Sequence, residues 1–207
     1  MFDLGTSALT ESILDCSAGA AGFAAEAGRR GSRVVAVDPA YAMTRGQLAE
    51  LGNADLARGS AIAADHPDRF TFAWYGSPEQ RLSLRTRALA QFLPDLVMHP
   101  ERYVAGQLPQ LPFRDGSFDL AVCSHLLFTW ADQLGLEWHR AALLELARVA
   151  REVRVFPTVV QGPGEPVPFW EELMSDLATA GLGTERREVP YEFQVGANTM
   201  LVVTGQE

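Results

Sequence analysis

Short, unbroken apolar runs alternate along the chain with stretches whose apolar residues recur every three or four positions. Ile13–Leu14 opens the series as a brief buried strand. A helical stretch from about Gly22 to Arg30 follows and breaks at Gly31. Val34–Val37 is apolar throughout, as a strand covered on both faces must be. Strand, helix and strand in so few residues imply a parallel, right-handed crossover. Further strands are expected at Tyr103–Ala105, Phe118–Cys123 and Val153–Phe156. A helix spans Leu136–Ala150, with Leu136, Leu143, Ala147 and Ala150 on one face. Pro168 opens another, with a stripe of Phe169, Leu173, Met174 and Leu177 that ends at Gly181. Two last strands, about Glu185–Phe193 and Thr199–Thr204, flank Gly196-Ala197-Asn198, a sequence suited to a tight hairpin. The pattern predicts a doubly wound α/β fold, a mostly parallel sheet closed by a C-terminal antiparallel hairpin.

One stretch exceeds what such a fold needs. A single crossover helix is required after strand two, yet residues 42–102 are long and largely helical. Thr44 with Gln47, and Ser77-Pro78 with Gln80, look like helix-opening caps. Leu82, Leu89 and Leu93 mark one face of the second helix. Between the helices lies Phe70-Thr-Phe-Ala-Trp-Tyr75, closed by Gly76. The expectation is one domain over residues 1–207 with a helical insertion at about 42–102, acting as a cap or as extra core.

Composition narrows the function. With 207 residues, 47% hydrophobic and 21% charged, the chain can bury a full core. A net charge of -9 argues against broad nucleic-acid binding, which needs a cationic surface. Two cysteines, Cys16 and Cys123, make no disulfide framework. No apolar run reaches membrane-spanning length, and no signal-peptide pattern opens the chain, so a cytoplasmic location is expected. The histidines show no metal-ligand spacing with cysteine, so no metal is expected.

The candidate chemistry sits at the ends of the strands. Ile13 to Tyr41 runs strand, small-residue loop, helix, strand, acid. Such a layout lets backbone N–H groups approach a nucleotide-like ligand while Asp38, with Pro39 beside it, takes ribose hydroxyls. Ser124 and His125 follow strand four. His125 is the candidate general base, with a pocket-shaping role as the plain alternative. Tyr41, Trp74 and Trp130 are candidate substrate-pocket walls, or core. Arg81, Arg85 and Arg87 crowd one helix of an acidic chain. They read as a solvated face with local ion pairs, or as an anion-binding group.

Four segments carry a family resemblance: Leu14-Asp15-Cys16-Ser17-Ala18-Gly19; Val35-Ala36-Val37-Asp38; Leu111-Pro112-Phe113-Arg114-Asp115-Gly116-Ser117-Phe118-Asp119-Leu120; and Glu145-Leu146-Ala147-Arg148-Val149. Together they resemble the class I S-adenosylmethionine-dependent methyltransferases, in particular the small-molecule group. The resemblance implies a Rossmann-like fold and methyl transfer from S-adenosylmethionine to a small-molecule acceptor. It also implies cofactor contacts at Asp15, through the methionine amino group, and at Ser17, Gly19, Asp38, Pro39, Gln107, Leu108 and Ser124. Ser17 and Ala21 stand where the family often has glycine, which makes any left-handed backbone there more costly. Alternatives are a non-catalytic S-adenosylmethionine-binding protein and a nicotinamide-dependent dehydrogenase. In the strand order the resemblance implies, Cys16 and Cys123 should be neighbours as free thiols.

Overall fold

A computed structural model describes residues 1–5, 8, 10–162 and 164–205. Pro163, within the Gly162–Pro168 stretch expected to be a loop, lies outside them. Seven strands form one sheet: β1 (Ser12–Cys16), β2 (Arg33–Val37), β3 (Tyr103–Val104), β4 (Phe118–Ser124), β5 (Ala150–Phe156), β6 (Leu182–Glu188) and β7 (Thr199–Gly205). Their order is β3-β2-β1-β4-β5-β7-β6. The pairs from β3 to β5 are parallel, and β7 runs antiparallel to both β5 and β6. Helices α1 (Phe23–Arg29), α2 (Arg45–Asp65), α3 (Pro78–Met98), α4 (Leu136–Val149) and α5 (Trp170–Thr179) complete the fold. The doubly wound, mostly parallel sheet with a terminal antiparallel pair is as expected. Cys16 and Cys123 are direct register partners on β1 and β4, both buried and free.

The central strands are buried because both faces are covered. On one face, Leu14, Val37, Ala121, Cys123, Val153 and Val155 pack with Leu143 and Leu146 of α4 and Leu173 and Leu177 of α5. On the other, Ile13, Val34, Ala36, Leu120 and Val122 meet Ala24 and Ala27 of α1 and Leu89 and Phe92 of α3. The edge strand β6 is mostly exposed and charged, which discourages further strand pairing.

Three expectations are corrected. The tight hairpin is not formed: ten residues, 189–198, separate β6 from β7, and Val189 N–H donates to Asn198 O at the base of this longer loop. The buried face of α4 is Ala142, Leu143, Leu146 and Val149, with His139 among them, whereas Leu136 and Ala147 are only part-buried. That rotation follows from packing against both β4–β5 and α5, which the spacing of leucines alone did not specify. Leu82 on α3 is exposed, while Phe92 is fully buried.

The 42–102 stretch divides into two physical parts. Its α3 occupies the crossover layer between β2 and β3, against α1 and the sheet. Its α2 buries only Leu48, Gly52 and Ala63, and begins at a full capping box of Thr44 and Gln47. Ser77 likewise caps α3 by accepting from Gln80 N–H.

The segments that resemble a family most closely are joined by a clamp. Glu145 on α4 accepts from Leu111 N–H at 2.6 Å and from Arg148 Nε and Nη2 at 2.8 Å each. Arg148 in turn donates to Phe113 O at 2.9 Å and to Asp115 Oδ1 at 2.6 Å. The loop before β4 is thereby tied to α4. Hydrogen bonds from Arg148 hold the Glu145 carboxyl below the usual carboxylate range. Glu145→Ala should lower stability by roughly 1–3 kcal/mol, because the Leu111 amide loses its acceptor. At about 2–4 °C per kcal/mol, thermal unfolding would show it as a fall of several degrees. A lowered carboxyl stabilises the fold above its unfolded value of 4.5 and stops doing so as pH falls through its folded value. The gap between wild type and variant should therefore close in acid. An unchanged melting temperature at neutral pH would rule the clamp out.

Candidate functional site

The parallel strands end together on one edge of the sheet, and the expected site residues gather there. β1 delivers Asp15, a residue only 7% exposed. Among the described residues no hydrogen-bond donor or cation reaches it. Burial, and then the nearby Asp38 charge, push this carboxyl up to about 7. A buried, unpaired carboxylate beside a second acid is costly by itself, and a cation placed there would relieve it.

Asp38 ends β2 and is half-buried. Its Oδ2 accepts from Gly19 N–H and its Oδ1 from Ala40 N–H, both at 2.9 Å. The carboxylate thus joins the small-residue loop to the short turn Pro39–Ala42. Each oxygen keeps a further lone pair for a hydroxyl. The loop's amides are less free than the sequence implied. Ser17 and Ala18 both donate to Val37 O, and Gly19 to Asp38. Ser17 has φ +58° and Gly19 φ +55°. The left-handed conformation at Ser17 is one that glycine adopts freely, and a serine there costs roughly 1–2 kcal/mol.

Tyr41 is not a free pocket wall. Its hydroxyl donates to Gly19 O at 2.8 Å, and its ring lies against Phe92 and Tyr103, with centroids 6.0 and 5.5 Å away. It braces the loop from beneath. Gln107 and Leu108 follow β3 on the same edge. Gln107 is exposed and Leu108 is buried, and Gly106 N–H donates to Asp38 O at 3.4 Å. Pro39 is exposed, and Ser124 is half-buried at the end of β4.

His125 comes next, at φ +57°, with its N–H donating to Phe156 O at 2.7 Å. Burial first, then Arg81 and Arg85, push the imidazole down to about 4. More than a third of the residue's surface nevertheless remains open, so solvent moderates the effect. At neutral pH the ring is uncharged.

A second group of residues is joined to His125 through Phe156, whose ring lies 5.7 Å from that of His125 and 5.6 Å from that of Tyr191. Residues 70–75 are bound to the 189–198 loop: Thr71 N–H donates to Phe193 O at 2.7 Å, and Val195 N–H to Arg69 O at 3.0 Å. Phe70 stacks on Phe193, and the Tyr75 and Tyr191 hydroxyls lie 2.7 Å apart. Trp74 is 56% exposed, edge-on to Tyr191. Trp130 meets this group only at its Phe70 end, where the two line a cavity of about 300 Å³ with Ile62, His66, Asp132 and Gln161. Another cavity, about 420 Å³, lies by Thr158, Pro166, Trp170 and Arg186. Neither touches Asp15 or Asp38. The strand ends and the acidic pair define the candidate site better than these hollows do.

The arginines of α3 separate. Arg87 is exposed, while Arg81 and Arg85 are half-buried toward His125 and Tyr191. The expected ion pairs are not made: among the described residues neither Arg81 nor Arg85 meets a carboxylate. The Tyr191–Asn198 stretch reads in the sequence either as a polar segment facing the mouth of the site or as a turn served by Asn198, and its packing through Tyr191 and Phe193 on residues 70–75 is what the structure adds, since nothing in a loop sequence signals a contact with a segment about 120 residues earlier. His139 is a buried structural residue, its ring nitrogens 2.9 and 2.8 Å from Gly135 O and Leu127 O. No cluster of potential metal ligands occurs among the described residues, and none of their helices is long and apolar enough to cross a membrane.

A family model described as a methyltransferase domain matches residues 77–156, from the start of α3 to the end of β5. The protein MJ0045 of Methanocaldococcus jannaschii, itself uncharacterized, is 24% identical over 204 residues, 98% of this chain and 90% of that one. An O-methyltransferase family protein from Burkholderia thailandensis superposes with a TM-score of 0.52 at 12% identity, over 99% of this chain and 54% of that one. Magnesium protoporphyrin IX methyltransferase from Synechocystis PCC 6803, solved with bound S-adenosylmethionine, gives 0.47 at 13% identity, over 95% and 70%.

Proposed function

The family match and the fold support reading the chain as a class I S-adenosylmethionine-dependent methyltransferase, and on that premise we propose that its methyl acceptor is a small molecule held between the strand ends, residues 70–75 and the 189–198 loop. The observation that carries the reading is Asp15: a buried carboxylate with no partner, next to Asp38, at the tip of β1. The residues present suit the cofactor. Asp15 would offset the ammonium charge of its methionine part. Asp38 would accept the ribose hydroxyls with the lone pairs left by Gly19 and Ala40. Leu108 and Gln107 would flank the adenine. When bound, the cofactor supplies an electrophilic methyl group on a sulfonium.

The protein's own part is to hold and to exclude. Tyr41 fixes the loop through Gly19 O, so the strand-end acids keep their spacing. The aromatic segment and the 189–198 loop cover the acceptor side and limit water. His125, uncharged at neutral pH, can accept a hydrogen bond from an acceptor O–H or N–H and aim its lone pair. Its lowered proton affinity makes it a weaker base than an ordinary imidazole, which favours orientation over proton removal as its contribution.

Calorimetry with S-adenosylhomocysteine tests this reading. The wild type should bind, and Asp38→Ala should bind about 10- to 100-fold more weakly, as expected for losing charge-assisted hydrogen bonds. A wild type that does not bind sinks the cofactor assignment, and an unchanged variant sinks the ribose role.

A further inference from the structure

The buried stripe of α3 changes character along its length. In its C-terminal half, Leu89 and Phe92 enter the core. One and two turns earlier the same stripe is Arg85 and Arg81. A helix face that meets protein normally continues apolar, and arginines placed there are normally paired. These two are not. The Arg81 guanidinium lies 3.9 Å over the Phe193 ring and 5.9 Å from that of Tyr75, and its Nε is buried without an acceptor. Burial, then the Arg85 charge, lowers its proton affinity, and the Tyr75 hydroxyl is the neutral group that steadies it. Arg85 rests against α2 at Gly59, where any Cβ would clash with its Nη1. The pair of cations is therefore held in place by packing, in a chain of net charge -9.

Among the described residues, the groups acting on Arg81 are Arg85 and the hydroxyls of Tyr75 and Tyr191, with no carboxylate among them. The Tyr75 and Tyr191 hydroxyls are joined at 2.7 Å, Tyr75 lies by the Arg81 guanidinium, and Phe156 bridges the rings of Tyr191 and His125. The charge acting on Asp15 is Asp38, whereas the charges acting on His125 are the two arginines. The cationic group thus adjoins the acceptor side, not the acidic cofactor side.

We propose that Arg81 and Arg85, with the Tyr75–Tyr191 hydroxyl pair, bind an oxyanion on the methyl acceptor, so that the substrate is a small anionic molecule bearing a carboxylate or a phosphate. This deepens the reading above and rests on it for the identity of the cofactor. Two guanidiniums one turn apart present several N–H groups to one oxyanion, and desolvation beneath the aromatic rings strengthens each bond. The aromatic walls suit a planar acceptor body. Binding the anion at this point would place the rest of the acceptor next to His125.

The test follows the His125 ring by NMR titration in the protein loaded with S-adenosylhomocysteine, its signal assigned by loss in His125→Asn. Benzoate and phenyl phosphate are the anionic probes, and benzamide is the neutral control. A bound anion compensates the two arginines, so the His125 midpoint should rise by about one pH unit with an anion and stay put with benzamide. The larger response, to benzoate or to phenyl phosphate, distinguishes a carboxylate site from a phosphate site. In Arg81→Gln/Arg85→Gln the midpoint should already be raised and should no longer respond. Arg85→Gln alone keeps Arg81 stacked on Phe193 and serves if the double variant unfolds.

A wild-type midpoint indifferent to both anions would overturn the proposal. So would a response that survives in the variants. A fall of about tenfold or more in S-adenosylhomocysteine affinity in Arg85→Gln would overturn it too, by assigning the arginines to the cofactor's own carboxylate. If the wild type does not bind S-adenosylhomocysteine, the cofactor reading fails separately, and the anion arms are read on the protein alone.

Discussion

Replacing Asp15 with asparagine should weaken S-adenosylhomocysteine binding by about a hundredfold at mildly alkaline pH and remove its dependence on pH. Asp15 is buried without a partner, and burial together with Asp38 pushes its carboxyl up to about 7. An ammonium beside it stabilises the charged form, so binding must expel a proton wherever the free protein still holds one. Wild-type affinity should therefore climb with pH, approaching tenfold per unit below about pH 7, and then level off. Calorimetry near pH 6 in buffers of different ionisation enthalpy should report close to one proton released per cofactor. Asparagine cannot ionise, so its weaker affinity should be flat over the same range.

The same substitution should act oppositely on stability. A carboxyl whose folded value is raised holds its proton more tightly folded than unfolded. Its contribution is complete below the unfolded value of 3.8 and is lost as pH rises through about 7. Asp15→Asn removes that loss, and the protein free of cofactor should gain on the order of 4 kcal/mol above neutrality. A loop that binds worse while the fold becomes firmer is the signature of a residue kept for its ligand. Affinity independent of pH in the wild type, or an asparagine variant that binds as tightly, would exclude this role.

The second large effect concerns α3. Phe92→Ala should cost about 3–5 kcal/mol, since Phe92 is fully buried and truncation leaves a cavity. At about 2–4 °C per kcal/mol, the melting temperature should drop by roughly 10 °C. Phe92 also supports Tyr41, whose hydroxyl holds Gly19 O. Loss of the ring should loosen the small-residue loop and weaken cofactor binding in the fraction that remains folded. Were α3 a detachable cap, the substitution would barely move the unfolding transition, and thermal or urea unfolding decides between the two. Its place between α1, β2 and β3 makes it the crossover helix of the sheet, with α2 and residues 66–76 as the added part.

The sequence determined the elements whose physics is local. The apolar runs at Val34–Val37 and Phe118–Cys123 are strands because only two-sided burial suits such runs, and Thr44 and Ser77 do cap their helices. It also determined which residues stand at the strand ends, because Asp15, Asp38 and His125 are fixed by where each strand stops. The tertiary structure alone decided how distant segments meet. The Leu111–Leu120 and Glu145–Val149 segments were legible as a family signature, yet their physical task, a clamp through Glu145 and Arg148, exists only when the loop and α4 are side by side. The same holds for Arg81 and Arg85. A run of arginines on a helix reads as a solvated face or as an anion-binding group, since pattern alone cannot say what lies opposite. Packing decided for two of them: Arg81 lies over Phe193 of the 189–198 loop and Arg85 against Gly59 of α2, and among the described residues neither meets a carboxylate. The opening loop shows both limits at once. Its acid and its small residues were plain in the sequence. That Ser17 adopts φ +58° and that Asp38 holds Gly19 were settled only by the register of β1 against β2, which brings the loop and the acid together.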